Sequence, residues 1–103
     1  MFKITIFYSV NENDWFDMAY YTEKHVPLSK SVFGDSLKGL MIEEGNAPDV
    51  PYKVIGHLFF EELDQFYDHF LPNKKRLEKD AENYTNVEAV IQISKVVVWE
   101  HFD

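Results

Sequence analysis

The sequence contains no cysteine. That single absence removes disulfides, thiolate metal sites and cysteine nucleophiles together. It suits a reducing compartment, and a cytoplasmic protein is the expectation. No apolar run approaches the ~20 residues needed to span a bilayer, and Met1 leads directly into Phe2-Lys3-Ile4 without a secretory pattern. Basic residues are also scarce, 10 against 18 acidic ones for a formal charge of −8. Apart from Lys74-Lys75-Arg76 they are scattered, so no phosphate-neutralising patch forms and nucleic acid is not an expected partner. No glycine-rich loop opens a helix, which excludes a Rossmann-type nucleotide site. Four histidines without tight His/Asp/Glu spacing give no metal site.

Aromatic side chains, by contrast, are abundant. They make up 17% of 103 residues, within a hydrophobic fraction of 46%. The length allows one domain, residues 1–103, with a single core. Rings in this number fill a core, line a pocket or form an interface, and composition does not choose among the three.

Residues 2–9 are β-branched and aromatic and read as a strand. Phe2, Ile4, Ile6 and Tyr8 would share one face, with Lys3, Thr5, Phe7 and Ser9 on the other. A turn follows at residues 11–14. Asn13 or Asp14 is the expected N-cap of a helix over roughly 14–25, whose core stripe is Trp15, Met18, Ala19, Thr22 and Val26, widened by Phe16 and Tyr20. Pro27 pushes Val26 out of the α region, so the helix should end or kink there. A short continuation should then reach Gly34. Residues 37–45 form a weaker strand with an acidic tail that suits an edge, and residues 46–51 form a loop. A third strand, 52–60, is apolar on both faces apart from Lys53 and His57. A second helix starts near Glu61-Glu62 with Leu63, Phe66, Tyr67 and Phe70 on its core face. Pro72 should break it, and a further piece carries Leu77, Ala81 and Tyr84. The last strand spans residues 87–99. Phe59 and Ile93 are expected to be buried.

The order β-α-β-β-α-β is the ferredoxin-like arrangement, an α+β fold with both helices on one face of a four-stranded antiparallel sheet. Two helices cover one face, yet three strands are apolar on both. A second copy packed against the open face is the simplest cover, which makes a homodimer the expected assembly.

His25 is the strongest candidate for chemistry. It would lie on the last turn of the first helix, with Tyr21 one turn behind on the same face, and a helix C-terminus favours a protonated imidazole. The plainer alternative is a histidine that caps carbonyls. For Tyr20 and Tyr21 the alternative is packing in a core with the hydroxyl at its rim. A lone strand histidine such as His57 is most often a hydrogen-bonded core or surface residue. His69 and His101 suggest surface positions.

The run Tyr20-Tyr21-x-x-x-His25-x-Pro27-Leu28, preceded by Phe16 and followed by the 52–60 strand and the strand after Val87, resembles the EthD family of the dimeric α+β barrel superfamily. The resemblance covers essentially the whole chain. Two positions depart from the family pattern, Glu61-Glu62 after the third strand and His57 within it. The resemblance implies a dimeric barrel with a pocket for a small apolar or aromatic ligand. Family members are often labelled reductases, and related families include muconolactone isomerases, cofactor-free monooxygenases and haem-degrading enzymes. The implied activity is a cofactor-independent oxidoreductase or isomerase acting on a small cyclic or aromatic metabolite. In it His25 serves as general acid/base, Tyr21 as catalytic partner, and Tyr20, Tyr8 and His57 as substrate contacts. No cofactor or metal is expected; haem on His25 has no local support in the sequence. A non-catalytic binding dimer is the alternative, and it shares the pocket.

Overall fold

The computed structural model describes residues 1–103. β1 (Phe2–Tyr8) is followed by a helical stretch made of α1 (Met18–Tyr20), a π-helical turn (Tyr21–His25) and α2 (Val26–Phe33). A 3-10 turn (Gly34–Ser36), β2 (Gly39–Glu44), β3 (Val54–Phe60), α3 (Leu63–Ala81) and β4 (Val90–Lys95) complete the chain. The sheet order is β2-β3-β1-β4 with every pairing antiparallel, the ferredoxin-like topology the element order implies. β2 is an edge strand, as its acidic tail suggests. No helix is long and apolar enough to cross a membrane.

Both helices pack on the face carrying Ile4, Ile6 and Tyr8 of β1 and Leu58 and Phe60 of β3. Two clusters fill the layer between. Ile4, Phe33, Leu58, Phe60 and Phe66 form one, and Tyr8, Tyr21, Val54 and Tyr84 form the other. The other face carries Lys3, Thr5 and Phe7, with His57, Ile55 and Phe59 across from them on β3. Neither helix covers it, although Thr5 and His57 are buried there and Tyr52 and Trp99 pack on Phe7 and Phe59.

Several boundaries differ from the expected ones, each for a physical reason. Asp14 closes the preceding turn, accepting a bond from the Asn11 amide at 2.9 Å, so the N-cap falls to Asp17, which accepts from the Tyr20 amide at 3.0 Å. Trp15 therefore precedes the helix and is 45% exposed. Ala19 and Thr22 also face solvent, while Met18 and Val26 pack against the core as expected; Phe16, Tyr21 and His25 join them on the inward side, and the π turn sets this frame. Val26 does not end the helix. It keeps helical dihedrals, and the chain continues through Pro27 to Phe33, where Gly34 at φ +55° terminates it. Pro72 likewise sits within an unbroken α3, exposed, while Phe66, Phe70 and Leu77 hold the helix down on its other side. The last strand covers only six of the expected residues, Val90–Lys95. Its ladder stops because β1 does, at the pair Phe2–Lys95. Val97, Val98, Trp99 and Phe102 extend beyond it into solvent. Ile93 is 38% exposed in the single chain, being on the edge strand, whereas Phe59 is half-buried beneath Trp99.

Phe60 is fully buried and contacts both Phe33 and Phe66. Phe60→Ala should cost about 3–5 kcal/mol in urea denaturation. Trp15→Ala should cost under about 1 kcal/mol, the range of exposed sites. A similar cost at both positions would contradict this core.

Candidate functional site

The site begins where the two ends of the helical layer are tied together. Phe16 forms a β-bridge with Thr85. The Asp17 amide donates to the Tyr84 carbonyl at 2.7 Å, and the Thr85 hydroxyl to the Trp15 carbonyl at 2.7 Å. These bonds hold the C-terminal end of α3 against the start of the first helical stretch. Residues some 60 positions apart in sequence thereby come within side-chain reach.

The π turn then aims His25. A proline lacks an amide hydrogen, and its ring clashes with the carbonyl four residues back. Just before Pro27 the bonding lengthens, and the Val26 amide reaches the Tyr21 carbonyl five residues behind. The wider turn brings Tyr21 and His25 nearly above one another. Their rings stack at 5.7 Å with an interplanar angle of 15°. The expected shared face is present, but His25 lies mid-helix. The helix C-terminus invoked from sequence plays no part.

An aspartate does that work instead. His25 Nδ1 lies 2.8 Å from Asp80 Oδ2, with the two side chains 12% and 18% exposed. An ionised carboxylate only accepts, so Nδ1 carries the hydrogen, and the lone pair of the neutral ring resides on Nε2. Nε2 makes no hydrogen bond to the protein and is not among its sealed polar atoms. Asp80 Oδ1 accepts from the Tyr20 hydroxyl at 2.8 Å and from the Asn83 amide at 3.4 Å. Burial opposes ionisation of Asp80, but the bonds from His25, Tyr20 and Asn83 outweigh it and hold the carboxyl below its ordinary 3.8.

Two further phenols pack on the imidazole, and a third, Tyr8, lies behind them. Tyr84 lies 4.7 Å from His25 between ring centroids, and Tyr21 packs against Tyr84 at 4.9 Å. The Tyr8 and Tyr84 hydroxyls are 2.7 Å apart. Burial pushes the phenols of Tyr8, Tyr21 and Tyr84 well above the ordinary tyrosine value, so all three stay neutral. Of two neutral phenols sharing one bond, one donates within the pair and the other retains an O–H to offer elsewhere.

His25, Tyr8 and Tyr84 line a cavity of about 680 Å³ between the helices and the sheet. Ile4, Ile6, Leu58, Phe66 and Phe70 make its apolar wall. Tyr21 is buried behind this wall, its hydroxyl over Gly56, where a Cβ would come within 2.9 Å of it. Tyr20 faces the outer cleft between the helices, with Lys24, Arg76 and Asn83. His57 is on the opposite face of the sheet, buried beside Glu43, to which its Nε2 is bonded, and its Nδ1 has no partner. The structure thus joins His25 and Tyr21 directly, reaches Tyr8 through Tyr21 and Tyr84 and Tyr20 through Asp80, and leaves His57 apart. His69 bonds the Gln65 carbonyl on α3 at 2.7 Å, and His101 is exposed. Nowhere do three His, Asp or Glu side chains converge as metal ligands.

Asp80 and Tyr84 did not emerge from the sequence as site residues. Tyr84 stood out only as a core marker. Asp80 carried one overlooked signal, since it falls three residues after Leu77 and four before Tyr84 in an otherwise apolar stripe.

The depressed Asp80 fixes the sign of a pH dependence. Its contribution to stability is present above the unfolded carboxylate value, near 3.8, and is lost as pH falls through the lower folded value. Wild type should therefore exceed Asp80→Asn in urea midpoint above about pH 4, with the gap closing in stronger acid. A gap independent of pH would mean that Asp80 is not charged in the fold.

The EthD domain model matches residues 16–88, which include His25, Asp80 and Tyr84. An EthD-like protein from Ralstonia eutropha JMP134 is similar, with a TM-score of 0.86 and 28% identity over 96% of this chain and 94% of that one. An ethyl tert-butyl ether (EthD) family protein from Bacillus halodurans C-125 superposes with a TM-score of 0.72 at 15% identity, covering 94% of this chain and 99% of that one. A dimeric protein of ferredoxin-like fold from Bacteroides fragilis NCTC 9343 gives a TM-score of 0.53 at 8% identity, over 92% and 95% of the two chains. No curated protein matches the sequence significantly.

Proposed function

Because this chain belongs to the EthD domain family, we propose that it is a cofactor-independent enzyme, an isomerase or oxidoreductase, for a small cyclic or aromatic compound. The observation that carries this reading is the His25–Asp80 pair at the wall of an apolar cavity. Its volume, about 680 Å³, is within the range of small-molecule sites.

His25 acts as the base. Its Nε2 takes a proton from an acidic C–H or a phenolic O–H of the bound ring, and Asp80 orients the imidazole and stabilises the imidazolium that results. The electron pair left behind moves onto the substrate oxygen. There the free hydroxyl of the Tyr8–Tyr84 pair donates a hydrogen bond to the developing oxyanion. Returning the proton to a different carbon completes an isomerisation. In an oxidation, the carbanion instead passes electrons to dissolved dioxygen. Tyr21 serves by stacking on His25, and Tyr20 by fixing Asp80.

The working form is a homodimer in the cytoplasm, joined through the sheet face that Phe7, Ile55 and Phe59 occupy. His57 belongs with that interface rather than with the cavity, which it does not line. Sedimentation velocity at micromolar concentration should show a dimer, and a stable monomer would refute this. A stable dimer should bury on the order of 2,000 Å² in total.

His25→Ala should lower turnover by about 10²-fold or more while preserving the fold and the sedimentation coefficient. Solvent deuterium exchange into a panel of enolisable cyclic ketones and phenols, followed by NMR, detects proton abstraction before the physiological substrate is known. Exchange that persists in the variant would remove His25 from the mechanism. No exchange with any compound that binds would favour the ligand-binding dimer.

A further inference from the structure

The charges at the cavity mouth add a constraint on what enters. Lys74 and Glu78 on α3 and Glu82 at its C-cap follow one another at four-residue spacing and form one lip; Glu88, on the segment leading to β4, is on the other. Lys74 Nζ is already within 3.9 Å of Glu78 Oε1. Glu82 and Glu88 have no ion-pair partner. Deeper in, His25 already bonds the carboxylate of Asp80, so it offers no free positive charge, and Lys74 is the one other basic side chain of the lining. The mouth therefore carries two uncompensated negative charges, on a chain whose net charge is −8.

An anion entering this cavity meets repulsion at the mouth and loses its hydration against a largely apolar wall, with neutral phenols, Ser29, Thr85 and Asn86 to replace water. A neutral weak acid avoids both costs. Its negative charge arises only when its proton passes to His25, so anion and imidazolium form together and the cavity's total charge never changes. We propose that the cavity selects a neutral, weakly acidic ring compound (a phenol or an enolisable cyclic ketone) and rejects carboxylated analogues, with Glu82 and Glu88 setting the preference. This deepens the reading of the cavity given above and rests on it.

Two fluorescent probes of one skeleton test the idea: naphthol, neutral at pH 7, and hydroxynaphthoate, which differs by one carboxylate. In about 20 mM salt, where charges across the mouth are poorly screened, naphthol should bind the dimer about tenfold more tightly or better. Raising salt to about 0.5 M should narrow the ratio. The double variant Glu82→Gln/Glu88→Gln should narrow it at low salt too, and both positions are exposed, where such changes leave folding intact. Equal affinities, or tighter binding of the carboxylate, would overturn the proposal. A preference that neither salt nor the substitutions alter would remove the glutamates from it. Failure of both probes to bind would overturn it together with the aromatic cavity. Selective binding of naphthol without any His25-dependent exchange would sustain the charge selection and refute the reaction instead.

Discussion

A four-stranded sheet has two faces, and two helices in a chain of this length can cover only one of them. Most of the molecule follows from that constraint. The helix-facing residues of β1 and β3 alternate with a second set, Thr5, Phe7, Ile55, His57 and Phe59, that neither helix covers, although Thr5 and His57 are buried among their neighbours there. The covered face is packed most tightly under β1 and β3, the two central strands. Toward β4, at the edge, the helices no longer reach the sheet. Ile91 is left half in solvent there, and the cavity opens between this strand and α3. Site and bare face are two results of one shortage of covering surface.

That constraint was legible from the chain, because strand alternation and element order are local properties that a sequence displays directly. The four strands, the edge position of β2 and the pairing of His25 with Tyr21 all follow from it. The misreadings share a different origin. Local rules make proline a break at Val26 and again at Pro72, yet both helices continue. A proline inside a helix costs about 3 kcal/mol, which the packing of several apolar residues per helix offsets, Val26, Val32 and Phe33 on one and Phe66, Phe70 and Leu77 on the other. Local preference lost to tertiary packing. Asp80 was illegible for a further reason. Its partner is 55 positions away, and only the bridge between Phe16 and Thr85 brings the two together.

The proline in the first helical stretch is better regarded as a shaping residue. Four residues in an α-helix turn through about 400°, which leaves side chains at i and i+4 offset by some 40°. The wider π turn cancels most of that offset, and the rings of Tyr21 and His25 stack nearly parallel. Stacked against Tyr21 and bonded at Nδ1, the imidazole has lost its rotational freedom on two sides. An imidazole held in this way would have little left to reorganise on accepting a proton.

Electrostatics then sorts the titratable groups into roles. Four phenols lie within a few ångströms of His25 or its aspartate, and any of them could in principle compete as base. All four are pushed above the ordinary tyrosine value, Tyr8, Tyr21 and Tyr84 chiefly by burial and Tyr20 chiefly by its bond to Asp80. They remain hydrogen-bond donors. Asp80 is displaced the other way and stays ionised, unable to take up a proton near neutral pH. With donors and acceptor so fixed, the imidazole is the one group at the cavity wall whose ordinary titration range spans neutrality. The four phenols and Asp80 have each been moved further from neutrality, the phenols upward and the carboxyl downward, and the imidazole is left between them.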